Sequence, residues 1–197
     1  MSPATPPRWA EVLLRSILPA SAFEVVAGDL LEEYRESRHP VLGGRAADAW
    51  YVKQVVGFVA RGALPWGVLL GAAIVVRNAL DWFLPPLDFH TRAAVSTYFA
   101  MCLLLVVGFR AAWRSSSWLA GTVAGVATAG IAAIVSIVGA GGLLAFWHDA
   151  QTLAAIAGSG GLGEVFTLPL LGLVPGLLLG TLGGSAAVAG RSLHPIA

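Results

Sequence analysis

Four apolar runs after residue 61 constrain the fold of this chain more than any other feature. They cover about residues 62–84, 93–112, 117–146 and 165–189, and each is near the roughly twenty residues that an α-helix needs to cross a bilayer. Only 12% of the whole chain is charged, against about 25% in soluble domains. The sequence therefore predicts an all-α integral membrane protein with a four-helix transmembrane bundle.

The distribution of Lys and Arg predicts how these spans are oriented. Residues 1–61 carry seven of the twelve Lys and Arg, and the end of the second run with its connection to the third contains Arg110 and Arg114. The connection between the first and second runs has Arg92 alone. Because positive loops stay on the cytoplasmic side, we expect both ends in the cytoplasm. The expected location is the bacterial inner membrane, with the chain crossing the lipid bilayer several times.

Two domains follow from this division. Residues 1–61 predict a short cytoplasmic domain of three helices, and residues 62–197 hold the four transmembrane helices. The spacing of Ser21 and Glu24 matches a capping box at the start of the second helix. The third helix begins near Arg45 and is able to run into the first span. About sixty residues bury only a marginal core, so we expect this domain to lean on the membrane or on a partner.

Small residues recur at every fourth position in the third and fourth runs. Such a repeat forms a flat stripe that lets two helix backbones approach closely. We expect the third and fourth spans to pack together in this way, with a seam between copies of the chain as the alternative. The glycines concerned are Gly121, Gly125, Gly172, Gly176, Gly180 and Gly184.

One pair of opposite charges lies close to the end of the first span. Arg77 and Asp81 are four residues apart, so one helical turn places them on the same face. Ionisable residues within membranes are functional candidates, but an Arg near the end of a span also reaches the interface by itself. A structural role is favoured, and a transport or proton site remains the alternative.

The sequence predicts no enzyme, no cofactor and no metal site. Cys102 is the single cysteine, which excludes paired-cysteine metal motifs. His90, His148, Asp149 and Glu164 are spread over two connections without the spacing of metal ligands. The net charge of +1 gives no reason to expect nucleic-acid binding.

The N-terminal residues carry a recognisable pattern. Residues 28–35 read GDLLEEYR, residues 44–47 read GRAA, and Trp50-Tyr51 is followed by Gln54. Over about residues 5–60 the chain resembles the permease prefix domain of duplicated orphan permeases from Acidobacteria and related phyla. Those proteins are ABC permeases of the macrolide-exporter class, in which a large extracytoplasmic domain follows the prefix and a span. Here short-looped spans follow, so the resemblance implies a shared docking module on a different membrane anchor.

We expect a non-enzymatic membrane adaptor or accessory subunit whose cytoplasmic helices dock a protein partner in a larger assembly. The resemblance makes an ABC-type transporter a candidate for that assembly. A self-associating small transporter or channel, which would be a homo-oligomer, and a structural subunit of an energy-converting membrane complex are the alternatives. For Leu30, Tyr34 and Trp50 we favour packing between the three helices, with Gly28 at a close crossing. The candidate docking residues are Asp29, Glu32, Glu33, Arg35, Trp50, Tyr51 and Gln54.

Overall fold

The computed structural model describes residues 4–84, 89–158 and 161–193, and within them every regular element is a helix. Four segments are long and apolar enough to cross a membrane: α4, α5, α6 and the pair α8–α9. Within the described residues the predicted all-α fold, with four segments long and apolar enough to span a membrane, is thereby confirmed. The elements are α1 (Arg8–Ile17), α2 (Ala20–Glu33), a π-helical turn (Tyr34–Arg38), α3 (His39–Leu42), α4 (Gly44–Phe83), α5 (Phe89–Ser115), α6 (Trp118–Phe146), α7 (Ala150–Gly158), α8 (Gly161–Leu171) and α9 (Leu173–Leu193).

The helices before the membrane segments share a small core with the first part of α4. The predicted capping box at its second helix is absent, because α2 begins at Ala20 with Pro19 at the N-cap. Ser21 is therefore already inside the first turn, where its hydroxyl is no longer in the capping position. The buried side chains of this core are Ala10, Leu14, Leu30, Tyr34, Ala47, Tyr51 and Val55.

Helix α4 joins this core to the membrane without a break. It has 40 residues, so it is about 60 Å long at 1.5 Å per residue, twice the thickness of a hydrocarbon core. No helix end lies at the predicted domain boundary near Arg61. The packing changes instead, because Val55 belongs to the N-terminal core whereas Leu70 belongs to the core of the membrane helices.

Helix α6 lies at the centre of the membrane helices and packs against α4, α5 and α9. Its crossing with α4 depends on Gly67 and Gly71. A Cβ atom at Gly67 would lie 2.5 Å from Cβ of Ile131, and one at Gly71 would lie 2.6 Å from Cβ of Val135. Real Cβ atoms do not approach this closely, so any larger residue at either position would push α4 away from α6.

Three helices converge on Gly121. A Cβ atom there would lie 2.7 Å from the carbonyl oxygen of Gly180 in α9 and 2.9 Å from that of Gly108 in α5. Beside this point the hydroxyls of Thr122 and Thr181 are hydrogen-bonded across α6 and α9 at 2.9 Å. The backbones of α5, α6 and α9 are therefore in direct contact through their glycines.

The fourth span differs from its prediction as one helix over 165–189. It is divided into α8 and α9 at Gly172, where Pro175 has no N–H to donate to the carbonyl of Leu171 four residues before it. A Cβ atom at Gly172 would meet the carbonyl oxygen of Pro169 at 2.9 Å and no other helix among the described residues. The prediction of Gly172 as a packing residue is thus corrected, and the glycine contacts of this span begin at Gly176.

A short helix, α7, occupies the connection that the sequence left unassigned. The Oδ1 atom of Asp149 accepts hydrogen bonds from the backbone N–H of Gln151 and of Thr152, each at 3.0 Å, and caps the helix. These bonds and one from the Thr152 hydroxyl hold the pKa of Asp149 below its ordinary value. Helix α7 then buries Ile156 in a cluster with Trp82 of α4.

Substituting Gly125 with Leu should destabilise the membrane bundle. Even a Cβ atom there would lie 2.8 Å from Cα of Gly180, and overpacking costs typically 1–3 kcal/mol. Thermal unfolding of the detergent-purified protein, followed by tryptophan fluorescence, measures the effect. Gly142→Leu in the same helix is the control, since a Cβ at Gly142 meets no described atom within 4 Å. Equal losses in both variants would contradict the close crossing.

Candidate functional sites

Tyr34, the last but one residue of the GDLLEEYR segment, follows directly after α2 and connects the end of that helix to α4. Its hydroxyl donates a hydrogen bond of 2.7 Å to Oδ1 of Asp48, and its ring meets the edge of the Tyr51 ring at a centroid distance of 6.0 Å. Burial, followed by the hydrogen bond to Asp48 and the negative charge of Asp48, raises the pKa of Tyr34 to about 12. The phenol is therefore neutral, and it acts as a structural donor.

Two of the predicted docking residues are engaged within the chain. Glu33 accepts a hydrogen bond of 2.6 Å from Arg38, whose guanidinium lies 5.1 Å from the ring centroid of Trp50. Arg35 donates through Nε to the carbonyl oxygen of Ala4 at 3.0 Å. Both side chains thus connect segments of the N-terminal core, although they remain partly exposed.

The three predicted docking residues on α4 differ in how far they are exposed. Tyr51 is 1% exposed and belongs to the core, so its assignment as a docking residue is corrected. Trp50 and Gln54 are half-buried. Tyr51 was misassigned because a Trp-Tyr pair at a helix start does not by itself tell which ring points inward.

Four residues of α2, including the predicted docking residues Asp29 and Glu32, form an exposed surface. Val25, Gly28, Asp29 and Glu32 lie at helical spacing and are all exposed, and we call them the α2 surface. Among the described residues, neither Asp29 nor Glu32 has a hydrogen-bond or ion-pair partner. The expected close crossing at Gly28 is wrong, because a Cβ there would have no described atom within 4 Å.

At the other end of the bundle a buried carboxylate holds two helices together. Asp81 is 8% exposed, and its two oxygens lie 3.3 Å from Nε of Arg77 and 3.0 Å from Nη1 of Arg92. The sequence predicted the pair Arg77–Asp81 but missed Arg92, which also donates to the carbonyl oxygen of Leu84 at 3.2 Å. The signal was present, since Arg92 is the one basic residue in that connection.

Arg77 and Asp81 lie at one end of a cavity of about 650 Å³ between α4, α5, α6 and the α8–α9 pair. Such a volume is in the range of small-molecule sites. The rest of the wall is mainly apolar and includes Leu104, Ala132 and Leu179. The cavity is consequently amphipathic along its length. Its polar end is formed by Arg77, Asn78, Asp81, Ser96, Thr97 and Glu164.

The raised pKa of Tyr34 predicts a loss of stability at alkaline pH. The neutral phenol contributes fully below the ordinary tyrosine pKa of 10.0, and this contribution is lost as pH rises towards the raised pKa of about 12. Tyr34→Phe should therefore show a smaller fall in thermal stability over this pH range, with some baseline loss from the unpaired Asp48. Tyr98→Phe, an exposed tyrosine on α5, is the control. Identical pH profiles for the wild type and Tyr34→Phe would contradict the assignment.

The candidate sites contain no recognisable metal centre. Within the described residues no group of three His, Cys, Asp or Glu side chains is close enough to hold a metal ion, and the side chain of His90 lies outside those residues. Comparison of the chain with models of known protein families, with curated proteins and with solved structures finds no match.

Proposed function

We propose that this protein is a non-enzymatic accessory subunit of a bacterial inner-membrane assembly, with both ends in the cytoplasm, and that the α2 surface docks a protein partner. The observation that carries the proposal is Gly28. It is an exposed glycine in the middle of α2, with open space around it.

Gly28 weakens its own helix without any packing benefit from the described residues of the chain. Glycine in a helix interior costs about 1 kcal/mol relative to alanine, and no described atom approaches where a Cβ would be. A glycine on a helix surface does allow another backbone to come close, as small residues do at helix–helix contacts. Contact with a partner helix that crosses α2 at Gly28 would offset this loss of helix stability.

The residues around Gly28 define the chemistry of that partner. Val25 is 63% exposed and offers apolar contact, while Asp29 and Glu32 offer two free carboxylates. The complementary surface is a helix with a small or apolar residue at the crossing and Lys or Arg beside it. The resemblance to the prefix domain of ABC permeases favours a component of an ABC-type transporter as the source of that helix.

The connection of α2 to the helices of the membrane part also suits a docking role. Tyr34 is hydrogen-bonded to Asp48 on α4, and α4 continues without a break into the membrane. A partner bound at the α2 surface would therefore be held at a fixed position relative to the bilayer. A mobile tether would not require this connection.

Affinity purification of the tagged full-length protein from native membranes tests the proposal. We expect a stoichiometric partner to co-purify with the wild type. Gly28→Leu should reduce its recovery about tenfold or more, which corresponds to 1.4 kcal/mol or more, because the side chain occupies the crossing. The same variant should be at least as thermally stable as the wild type, because leucine favours the helix.

The control is Gly57→Leu, another helical glycine with no described atom within 4 Å of a Cβ but outside the α2 surface. It should retain the partner. Recovery of the partner at wild-type levels with Gly28→Leu would refute the docking site. Purification of the wild type without any partner would refute the accessory-subunit proposal itself.

The cavity supports a second candidate, a self-associating small transporter for amphiphilic molecules. Its polar end carries both Arg77 and the carboxylates Asp81 and Glu164, while its remaining wall is mainly apolar. A molecule with a zwitterionic head and one acyl chain matches this distribution. The buried Asp81, paired with two arginines, would fix the polar end.

Transfer of NBD-labelled lysophosphatidylcholine across proteoliposomes, followed by dithionite quenching, tests this candidate. Ala100→Phe would fill the cavity, which Ala100 lines, and should lower the transfer rate about tenfold, equivalent to 1.4 kcal/mol. Cys102→Phe on the exposed side of the same helix should leave the rate unchanged. Equal rates in both variants, or no transfer above empty liposomes, would exclude the transporter; unchanged rates with Arg77→Ala and Asp81→Ala would exclude a role for the charges.

A further inference from the structure

A second concave surface lies at the opposite end of the bundle from Asp81 and its two arginines, Arg77 and Arg92. It is a groove between α5 and α9, close to the end of α5 that leads into the α5–α6 connection. Helix α1 touches α5 and α6, so the groove is on the same side of the bundle as the N-terminal helices. Its apolar wall is formed by Leu105, Val106, Phe109, Leu182, Gly183 and Ala186.

The backbones of α5 and α9 meet at the floor of the groove. A Cβ at Gly183 would lie 2.9 Å from the backbone nitrogen of Phe109, so α5 and α9 are in direct contact along the floor. The rings of Phe109 and Trp113 stack at 5.5 Å along one side. This leaves a channel whose wall is mainly apolar, which suits an acyl chain.

Two free positive charges lie at the top of this channel. Arg110 and Arg114 line the groove and are exposed, and neither has a hydrogen bond or an ion pair with a described residue. Like charges four residues apart on a helix repel each other. The groove lining contains no acidic side chain among the described residues. An anion from outside the chain would therefore relieve this repulsion.

The depth of the two arginines indicates where that anion comes from. Helix α5 ends at Ser115, which places Arg114 and Arg110 about 1.5 and 7.5 Å from the helix end at 1.5 Å per residue. Trp113 between them is the kind of residue that marks a membrane interface. Beside it, Arg191 lies with its guanidinium 5.4 Å from the ring centroid of Trp113 and hydrogen-bonds Ser116. A helix end with a tryptophan beside its arginines is the level at which phospholipid headgroups are expected.

We infer that this groove binds an anionic phospholipid, with its phosphate between Arg110 and Arg114 and one acyl chain along the apolar wall. Basic pockets between transmembrane helices are suited to anionic headgroups, and here the apolar channel continues directly from the charges. A second copy of the chain fits less well, because a symmetric contact would bring four arginines together. The lipid would cover the α5–α9 contact on this side and fix the depth of both helices.

Native mass spectrometry of the full-length protein with phosphatidylglycerol or phosphatidylcholine tests the inference. We expect the wild type to retain phosphatidylglycerol at least about tenfold more than phosphatidylcholine, a difference of 1.4 kcal/mol. The double variant Arg110→Gln/Arg114→Gln should lose this preference. Ala186→Phe, which fills the channel without changing charge, should lower retention of phosphatidylglycerol by a similar factor.

The control for charge is Arg45→Gln/Lys53→Gln, which removes two exposed positive charges outside the groove and should keep the preference. Equal retention of both lipids by the wild type would overturn the inference, as would loss of the preference in this control. Inorganic phosphate that displaces bound phosphatidylglycerol at equal concentration would assign the site to free phosphate instead. A dimer that excludes lipid would assign the groove to a second copy.

Discussion

The contact of three helix backbones around Gly121 is the constraint on which the membrane part of this protein depends. Lipid tails are as apolar as the side chains of the bundle, so burial from water cannot hold spanning helices together. Dispersion forces and a few polar contacts must do so, and they act only at short range. Glycines at Gly108, Gly121 and Gly180 bring the backbones close enough, and the Thr122–Thr181 hydrogen bond adds one polar contact at the same level. Helix α4 joins this unit through its own Gly67 and Gly71, which lie against Ile131 and Val135 of α6.

The same arrangement explains why the two concave surfaces differ. Helix α6 packs against α4, α5 and α9, which leaves a space between α4 and the other helices that has Arg77 and Asp81 at one end. On the side where α5 and α9 meet directly, the close contact leaves a shallow groove with arginines at its rim. The N-terminal core is connected to the cavity by the uninterrupted helix α4 and to the groove side by α1, which contacts α5 and α6.

The sequence indicated parts of the candidate sites but not their composition. Arg77 and Asp81 were predicted as a pair because a helix brings residues four apart together, whereas Arg92 belongs to another helix and no local pattern reveals that approach. Likewise Gly28 and Tyr51 stand in one recognisable pattern, but one has open space around it and the other is buried. Gly172 fits the four-residue repeat of its neighbours, and Pro175 nonetheless places it at a helix break.

By itself the sequence determined that the chain is helical and that four of its segments are long and apolar enough to cross a membrane, because length and apolarity of a segment are local properties that the bilayer selects directly. It also indicated α1, α2 and the start of α4 from their apolar spacing, but not the π-helical turn or α3 between them. The tertiary structure alone decided which glycines meet, which of the matched N-terminal residues face outward, and that the arginines at either end have different surroundings. Those outcomes depend on distances between residues far apart in the chain, and the spacing of residues within one helix carries no information about them.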